Sequence, residues 1–397
     1  MVTARSDLAN LIARYARTLG EVIGDGHHVS SPLGAWLLLA LCSPAAHGQD
    51  AAKLAALLGA ESDAVAAMAA ELLSEPHPLV AAAAAVWSAP GTGNRSWLDG
   101  LPQQVVQGDV PDQATVDKWA REHSYGLIDR FPLQIDAQVY LVLANALATK
   151  VSWEYPFELA PGTELGGSWR LDQVLYSPEH PSHSAFIAIT PNAGDVAVHV
   201  GRAQGGLVVL SAIAAPGVAR ADVADAAHQL AIAVARNAEI PQRSLFDLPL
   251  GDGPLWSISE EQSMGGSTER LHAVLPAWSA SDVLDLRDER LGFDAAGHAV
   301  LARGDDPPEP PAVGGGDRWD AKQAVMANYS RTGFEAAAVT AMVARMAMRP
   351  RERKARIAEL RFGHPYAVVA AAQTRNGGPW HGLPLFSAWV TKPHSAD

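Results

Sequence analysis

Apolar residues at three- and four-residue spacing predict that the chain begins with helices. Residues 7–23 follow this spacing, and Asp7 stands where an N-cap is expected. The segment 32–42 is almost entirely apolar and begins with Pro32 after Ser31, a pair that is typical of a helix start, so we expect a buried helix. Two further Ala- and Leu-rich segments are predicted to be helical, at residues 49–59 and 62–74.

Strands dominate the second part of the chain. Residues 139–151, VYLVLANALATKV, are mostly apolar and rich in Val and Leu, which predicts a central strand covered on both faces. Shorter strands are predicted at 186–189, 195–200, 206–213, 272–275 and 283–286. Helices are predicted at residues 115–125, with Thr115 as the cap, and at residues 223–236. Helices followed by many strands favour an α+β fold over a βαβ alternation.

Composition narrows the classes of function. The 397 residues are 48% hydrophobic and 18% charged, which is typical of a folded globular protein. The chain has 43 acidic and 30 basic residues, so its net charge is −13, which argues against nucleic acid as a partner. Cys42 is the only cysteine, so an internal disulfide is excluded, and its place in an apolar helix predicts a buried structural thiol.

The sequence also carries no recognisable targeting signal. Asp7, Arg14 and Arg17 interrupt the apolar segment that a signal peptide would need. The longest alanine-rich run, residues 79–86, is far shorter than the roughly 20 residues that span a bilayer. We therefore expect a soluble, cytoplasmic monomer without a membrane partner.

Five segments resemble parts of the serpin family, and the likeness extends over residues 7–393. HHVSSPLGAW, from His27, resembles the start of the family's buried helix, and VDKWAREHSYGLI resembles the helix whose Trp packs across the main sheet. LVLANALATKVSWEYPF resembles the long central strand, with Asn145 and Trp153 at the family's Asn and Trp positions. GFEAAAVTA, from Gly333, resembles the hinge of the reactive loop, and RFGHPYAVVAA and GLPLFSAWVTKP resemble the two terminal strands.

This resemblance implies a serpin-like α+β fold in one domain. The domain would cover residues 7–393 and be followed by a C-terminal tail at 394–397. It would contain a large central β-sheet, two smaller sheets and about eight or nine helices. An exposed reactive loop would lie at about residues 331–361.

The resemblance further implies a bacterial-type intracellular serpin that is an inhibitor and not an enzyme. A trypsin- or elastase-like serine protease would cleave the reactive loop, and the hinge would insert into the main sheet while the protease is still an acyl-enzyme. Residues 333–347, with fourteen steps of about 3.3 Å between them, would then form a strand of roughly 46 Å. No cofactor or metal is implied. The implied hinge residues are Gly333, Phe334, Glu335, Ala336, Ala337, Ala338, Val339, Thr340 and Ala341, and the implied sheet-opening residues are Ser31, Asn145, Trp153 and Gln323.

Two counts place the bond that a protease would cleave. Counting from the hinge at the family's usual spacing reaches Ala347 and Met348, whereas counting back from Pro365 reaches Lys354. We favour the hinge count because the sheet fixes the length of the inserted strand. Arg345 is the alternative for a trypsin-like protease.

Four positions depart from the family pattern. Arg331 stands at the family's Glu, Gln323 at its His, and Gly34 at its second Ser. Phe334 stands where inhibitory members favour a small or β-branched residue, so we expect its ring to slow insertion and Phe334→Thr to increase inhibition. Arg331 and Phe334 motivate the alternative hypothesis, a non-inhibitory serpin-fold protein that acts as a binding, chaperone or structural module.

Two other kinds of chemistry find little support. Glu179, His180 and His183 lie close together in sequence, but no helix holds them on one face and two prolines lie nearby, which argues against a metal site. A Gly-x-Ser-x-Gly motif is missing from the sequence, and this disfavours a hydrolase.

Overall fold

The computed structural model describes residues 2–78, 80–91, 94–136, 139, 141–263, 269–301, 321–334, 353–374 and 377–397. These residues form eight α-helices: α1 (Val2–Ile23), α2 (Pro32–Cys42), α3 (Gly48–Leu58), α4 (Ser62–Ser74), α5 (Arg95–Asp99), α6 (Gln113–Glu122), α7 (Arg220–Ala235) and α8 (Phe293–Leu301). No helix in the described ranges is both long enough and apolar enough to span a lipid bilayer.

The described residues also form nineteen strands. They are β1 (His28–Ser30), β2 (Val80–Ser88), β3 (Val106–Gly108), β4 (Leu141–Thr149), β5 (Val151–Ser152), β6 (Glu158–Pro161), β7 (Gln173–Tyr176), β8 (His183–Thr190), β9 (Gly194–Ala203), β10 (Leu207–Ala214), β11 (Gly251–Asp252), β12 (Trp256–Ser263), β13 (Glu269–Leu275), β14 (Trp278–Asp285), β15 (Lys322–Tyr329), β16 (Gly333–Phe334), β17 (Arg353–Arg361), β18 (Tyr366–Ala372) and β19 (Pro384–Val390).

Capping side chains explain where the predicted helices begin. The Ser31 hydroxyl accepts a hydrogen bond from the Gly34 N–H at 3.2 Å, which confirms Ser31 as the cap of α2. α6 begins earlier than predicted because its cap is Asp112, whose carboxylate accepts a hydrogen bond from the Thr115 N–H at 2.8 Å. α1 begins at Val2, so the prediction of Asp7 as its cap was wrong. The three remaining helix predictions are confirmed as α3, α4 and α7, whereas α5 and α8 were not predicted.

Two six-stranded sheets make up most of the β structure. Sheet 1 has the order β1-β19-β18-β10-β9-β8, and sheet 2 has the order β11-β12-β17-β13-β7-β6. The strand predictions in this region are confirmed, although β14 begins at Trp278 and so includes residues that were expected to precede it. Helices α1 to α4 pack with sheet 1 and β14–β15 around the main core, in which Tyr15, Trp36 and Trp278 are almost fully buried.

The third sheet is divided into two parts. Four strands are ordered β14-β15-β16-β5 and three are ordered β3-β2-β4. The parts are joined because β5 follows β4 after Lys150 alone. One face of β4 packs under α6, where Val142, Ala144 and Ala146 lie in a cluster with Trp119, and Leu143 on the other face packs against the main core. The prediction of a central strand covered on both faces is therefore confirmed, and we call this third sheet the divided sheet.

Two predicted boundaries change in the structure. Residues 353–361 form β17, which pairs with β12 and β13, so this part of the predicted loop at 331–361 belongs to sheet 2. The tail residues 394–397 are bound to the domain: the His394 N–H donates to the Ala277 carbonyl at 2.9 Å and the Ala396 N–H to the Gln173 carbonyl at 3.0 Å.

Candidate functional site

A cleft separates β4 from β15 in the divided sheet. Both strands are described in full, and no ladder of backbone hydrogen bonds joins them. The base of the cleft is lined by residues 143–147 and 322–325 and has a cavity volume of about 50 Å³ that is partly open to solvent. Its upper part, with a cavity volume of about 10 Å³, is lined by residues of both strands and by Phe334. The edges of two central strands therefore face each other without pairing.

The two strands are anchored at the base of the cleft to the start of α2. Gln323 on β15 binds Ser31 twice: its side-chain oxygen accepts from the Ser31 N–H at 2.9 Å and its amide donates to the Ser31 carbonyl at 3.0 Å. Asn145 on β4 donates its side-chain amide to the Gly34 carbonyl. Because both strands bind the same helix start, α2 sets their separation and leaves their edges apart.

Gly34 leaves room for this polar arrangement. A Cβ atom at this position would lie 3.1 Å from the Ser31 Oγ, 3.2 Å from the Asn145 Nδ2 and 3.3 Å from the Gln323 Nε2. Each distance is tighter than ordinary van der Waals contact. Glycine, in place of the family's Ser at this position, therefore leaves room for three polar side chains to lie close together.

At the top of the cleft the chain turns back into the sheet. β16 pairs with β15, with Phe334 opposite Tyr329, and with β5, with Phe334 opposite Val151. Both pairings are antiparallel, so the axis of β16 points down the cleft. The turn before β16 is fixed by Phe157, whose N–H donates to the Arg331 carbonyl at 3.0 Å and whose carbonyl accepts from the Arg331 Nε at 3.2 Å.

Trp153 fastens the same turn from the side of β5. Its backbone N–H donates to the Thr332 carbonyl at 3.1 Å, and its indole Nε1–H donates to the Ser330 carbonyl at 2.9 Å. The indole packs against Tyr329, with ring centroids 5.1 Å apart. A Cβ atom on Gly201 would lie 3.1 Å from the ring, so glycine at that position is what lets Trp153 pack here.

A pair of buried histidines lies behind this aromatic cluster. The His183 Nδ1 and the His199 Nε2 are 3.1 Å apart, and the His183 Nε2 is 2.7 Å from the Tyr155 carbonyl. The His199 Nδ1 is 3.5 Å from the Tyr329 hydroxyl, on the last residue before the turn. Burial lowers the pKa of His183 to about 4 and the pKa of His199 well below its usual value, so both rings are neutral near pH 7.

This geometry suits the addition of a strand. No described segment pairs with the facing edges of β4 and β15, and such edges are a template for a further strand, which would bond to both at once. A strand that continues β16 would run antiparallel to both neighbours, as β16 itself does. The eight residues of β15 offer an edge of about 26 Å at roughly 3.3 Å per residue.

Solved structures of serpins match the fold of this chain over almost its entire length. The cleaved form of Serpin 42Da is 14% identical, with 98% of each chain covered and a TM-score of 0.65. Serpin48 from the insect Tenebrio molitor is 13% identical, with 98% of each chain covered and a TM-score of 0.61. Human thyroxine-binding globulin in complex with thyroxine is 11% identical, covers 98% of this chain and 100% of its own, and has a TM-score of 0.65.

This chain has the serpin fold. The predicted fold class is confirmed, with a single α+β architecture and eight α-helices in the described ranges. No family model matches the sequence, and no curated protein matches it significantly. The likeness to serpins therefore lies in the three-dimensional structure and, at these identities, concerns the fold.

The serpin fold separates the predicted sheet-opening residues into two groups. Ser31, Asn145 and Gln323 meet at the base of the cleft, and Trp153 lies at its top. Their role in sheet opening stays a prediction. Of the predicted hinge, Gly333 and Phe334 form β16. The rest of the hinge and the candidate reactive bonds lie outside the described residues: Glu335, Ala336, Ala337, Ala338, Val339, Thr340, Ala341, Arg345, Ala347 and Met348.

Lys354, which the count from Pro365 reaches, does lie among the described residues. Lys354 lies within β17, where its backbone is paired with Gln262 of β12. A residue whose backbone is held in a sheet cannot enter the active-site groove of a protease unless the strand first detaches. The structure therefore argues against the count from Pro365, and the hinge count stays a prediction.

The fold directs the three side chains considered for a metal site to different partners. His183 turns inward to His199, His180 stacks on Tyr155 with centroids 4.6 Å apart, and Glu179 lies 3.7 Å from His272. Within the described part of the chain, no three His, Cys, Asp or Glu side chains are placed to hold a metal ion together. Cys42 is buried in α2 as predicted, and burial raises the pKa of its thiol to about 12.

Proposed function

We propose that this protein inhibits a serine protease by covalent trapping and has no catalytic activity of its own. The observation that carries the proposal is the cleft that separates β4 from β15 in the described part of the chain, with β16 already aligned at its top. A segment that follows β16 can add to the divided sheet by pairing with both edges. The fold is compatible with this role because Serpin48 and Serpin 42Da share it.

The trapping reaction follows from the chemistry of serine proteases. The protease serine attacks a carbonyl in the segment between β16 and β17, the peptide C–N bond breaks, and the new amine leaves with a proton from the protease histidine. An ester then joins the protease to the segment that begins at Phe334. If this segment enters the cleft before water hydrolyses the ester, the protease is carried along the sheet and its active site is distorted. We propose Ala347–Met348 as the cleaved bond, with Arg345 as the alternative for a trypsin-like protease.

A second function is favoured by the residues at the hinge. Arg331 and Phe334 depart from the family's inhibitory pattern, and thyroxine-binding globulin shows that the fold also occurs in a protein that binds thyroxine. The alternative is therefore a non-inhibitory binding, chaperone or structural module. It predicts that a protease cuts the segment and is released in active form.

Incubation with trypsin-, elastase- and subtilisin-like proteases separates the two functions. An inhibitor gives a band that survives denaturing electrophoresis at the summed mass of protease and large fragment, and mass spectrometry of the released peptide locates the bond. Catalytically inactive Ser→Ala protease is the control, since it cannot form the ester. Cleavage by every protease with full recovery of activity and no such band would contradict the proposal.

A further inference from the structure

We propose that Phe334 is a positioning residue that anchors the start of the candidate reactive loop inside the divided sheet before any cleavage. In the uncleaved protein the insertion would thus already have begun, with β16 as its first two residues. The consequence for trapping rests on the proposed function, whereas the anchoring itself does not.

The side chain of Phe334 is placed as a core residue. It is 4% exposed, and its ring meets the ring of Trp278 edge to face with centroids 6.4 Å apart. It closes the upper part of the cleft together with Leu147 and Phe386, which are also apolar. Removing the ring from this site would expose a large apolar surface to water, so the side chain favours the docked position.

Backbone hydrogen bonds hold the same segment on both sides. β16 pairs with β15 and with β5, and the Ser330 N–H and hydroxyl both donate to the Gly333 carbonyl, at 3.0 and 3.1 Å. Undocking would also strip the N–H groups of Trp153 and Phe157 of their acceptors in the turn. Leaving several such groups unpaired is costly, so the segment should dock or undock as a unit.

This placement changes what Phe334 is expected to do. The expectation that its ring slows insertion assumes that it must still pass between two paired strands. In the structure the ring already lies between β15 and β5, so Phe334 itself has no paired strands left to separate. Two docked residues also take about 7 Å from the reach of the chain that follows them, at roughly 3.3 Å per residue.

Hydrogen exchange read by mass spectrometry tests the anchor in the uncleaved protein. The informative peptides cover residues 150–158, with the N–H groups of Trp153 and Phe157, and residues 328–334. Phe334→Ala should accelerate exchange in both by about tenfold or more, because local opening becomes easier. Phe334→Leu should restore most of the protection. Phe186→Ala is the matched control: Phe186 is 9% exposed in a separate core cluster, so this variant should lower thermal stability but leave both peptides protected.

Three results would overturn the anchor. The first is exchange in these peptides of the wild-type protein as fast as in an unstructured chain. The second is unchanged protection in Phe334→Ala, and the third is loss of protection to the same extent in Phe186→Ala. If Phe334→Ala does not fold, the wild-type protein and Phe334→Leu decide the question. The exchange test uses no protease, so its result does not depend on the trapping assay. A covalent band in the trapping assay would likewise stand if the exchange test failed.

Discussion

Lowering the pH should destabilise the folded protein through His183, and the variant His183→Gln should remove that part of the pH dependence. His183 is 8% exposed and lies against Trp153, Phe157 and His199. Gln can still donate a hydrogen bond to the Tyr155 carbonyl, as the imidazole can, but it does not titrate. The variant therefore removes the charge change while keeping a polar contact.

The size of the effect follows from the difference between the folded and unfolded pKa values. Burial lowers the pKa of His183 from 6.5 to about 4; His180 lowers it further, and the contact with the Tyr155 carbonyl opposes the shift. Above pH 6.5 the imidazole is neutral in both states. Between pH 6.5 and about 4 only the unfolded chain binds the proton, so stability is lost as the pH falls, by about 3 kcal/mol in total at 1.36 kcal/mol per pH unit. His199, whose pKa is also lowered by burial, acts in the same direction.

Urea unfolding followed by circular dichroism between pH 7.5 and 4 measures this effect. The unfolding free energy of the wild-type protein minus that of His183→Gln should fall by about 3 kcal/mol across the range. His298→Gln, a change at an exposed histidine on α8, is the control and should follow the wild-type curve. Parallel curves for the wild-type protein and His183→Gln would refute the assignment of a neutral, buried imidazole at the hinge.

Three further predictions concern the surroundings of the cleft and the buried thiol. Gln323→Leu should cost roughly 1–3 kcal/mol in urea unfolding, because it leaves the buried Ser31 N–H unpaired, whereas the Ser31 carbonyl keeps the Ala35 N–H as a donor; a loss under 0.5 kcal/mol would contradict the anchoring of β15 to α2. Gly201→Ala should cost roughly 1–3 kcal/mol and shift the tryptophan emission, because the new methyl group would press on Trp153, and an unchanged spectrum would count against that contact. Cys42 should not react with a thiol reagent at pH 8 until the protein unfolds, and prompt labelling of the folded protein would show that the thiol is not buried.

Local signals explain which elements could be predicted. Ser31 and Pro32 specify the start of α2 by capping chemistry within four residues, and the apolar run at 139–151 specifies a strand by composition alone. β2 shows the limit of this approach. Its run of alanines at 81–85 favours a helix locally, yet the segment is a strand because it pairs with β4 along its whole length. Pairing with a strand about 60 residues away leaves no trace in local propensity.

Some residues of the candidate site could be identified from the sequence, but their contacts with one another could not. The likeness of single segments to serpins identified Asn145 and Gln323, but only the fold shows that both bind the start of α2. His183 and His199 are sixteen residues apart in sequence and become neighbours through the register of β8 and β9, in which His183 lies opposite Gly201. That register cannot be deduced from the residue types. Phe334 was expected to obstruct insertion. The local sequence gives no sign that the ring is buried in β16, because this burial depends on Trp278, a residue far away in the chain.

The most direct test of the account is the heat stability of the protein before and after cleavage between β16 and β17. If the freed segment enters the cleft, it pairs with the facing edges of β4 and β15, which no described residue joins to each other. Protein cut there by an elastase- or subtilisin-like protease should melt at a much higher temperature than intact protein, and amide exchange in residues 141–149 and 322–329 should slow. An unchanged or lower melting temperature, with exchange in both strands as before, would contradict strand insertion and with it the proposed trapping function.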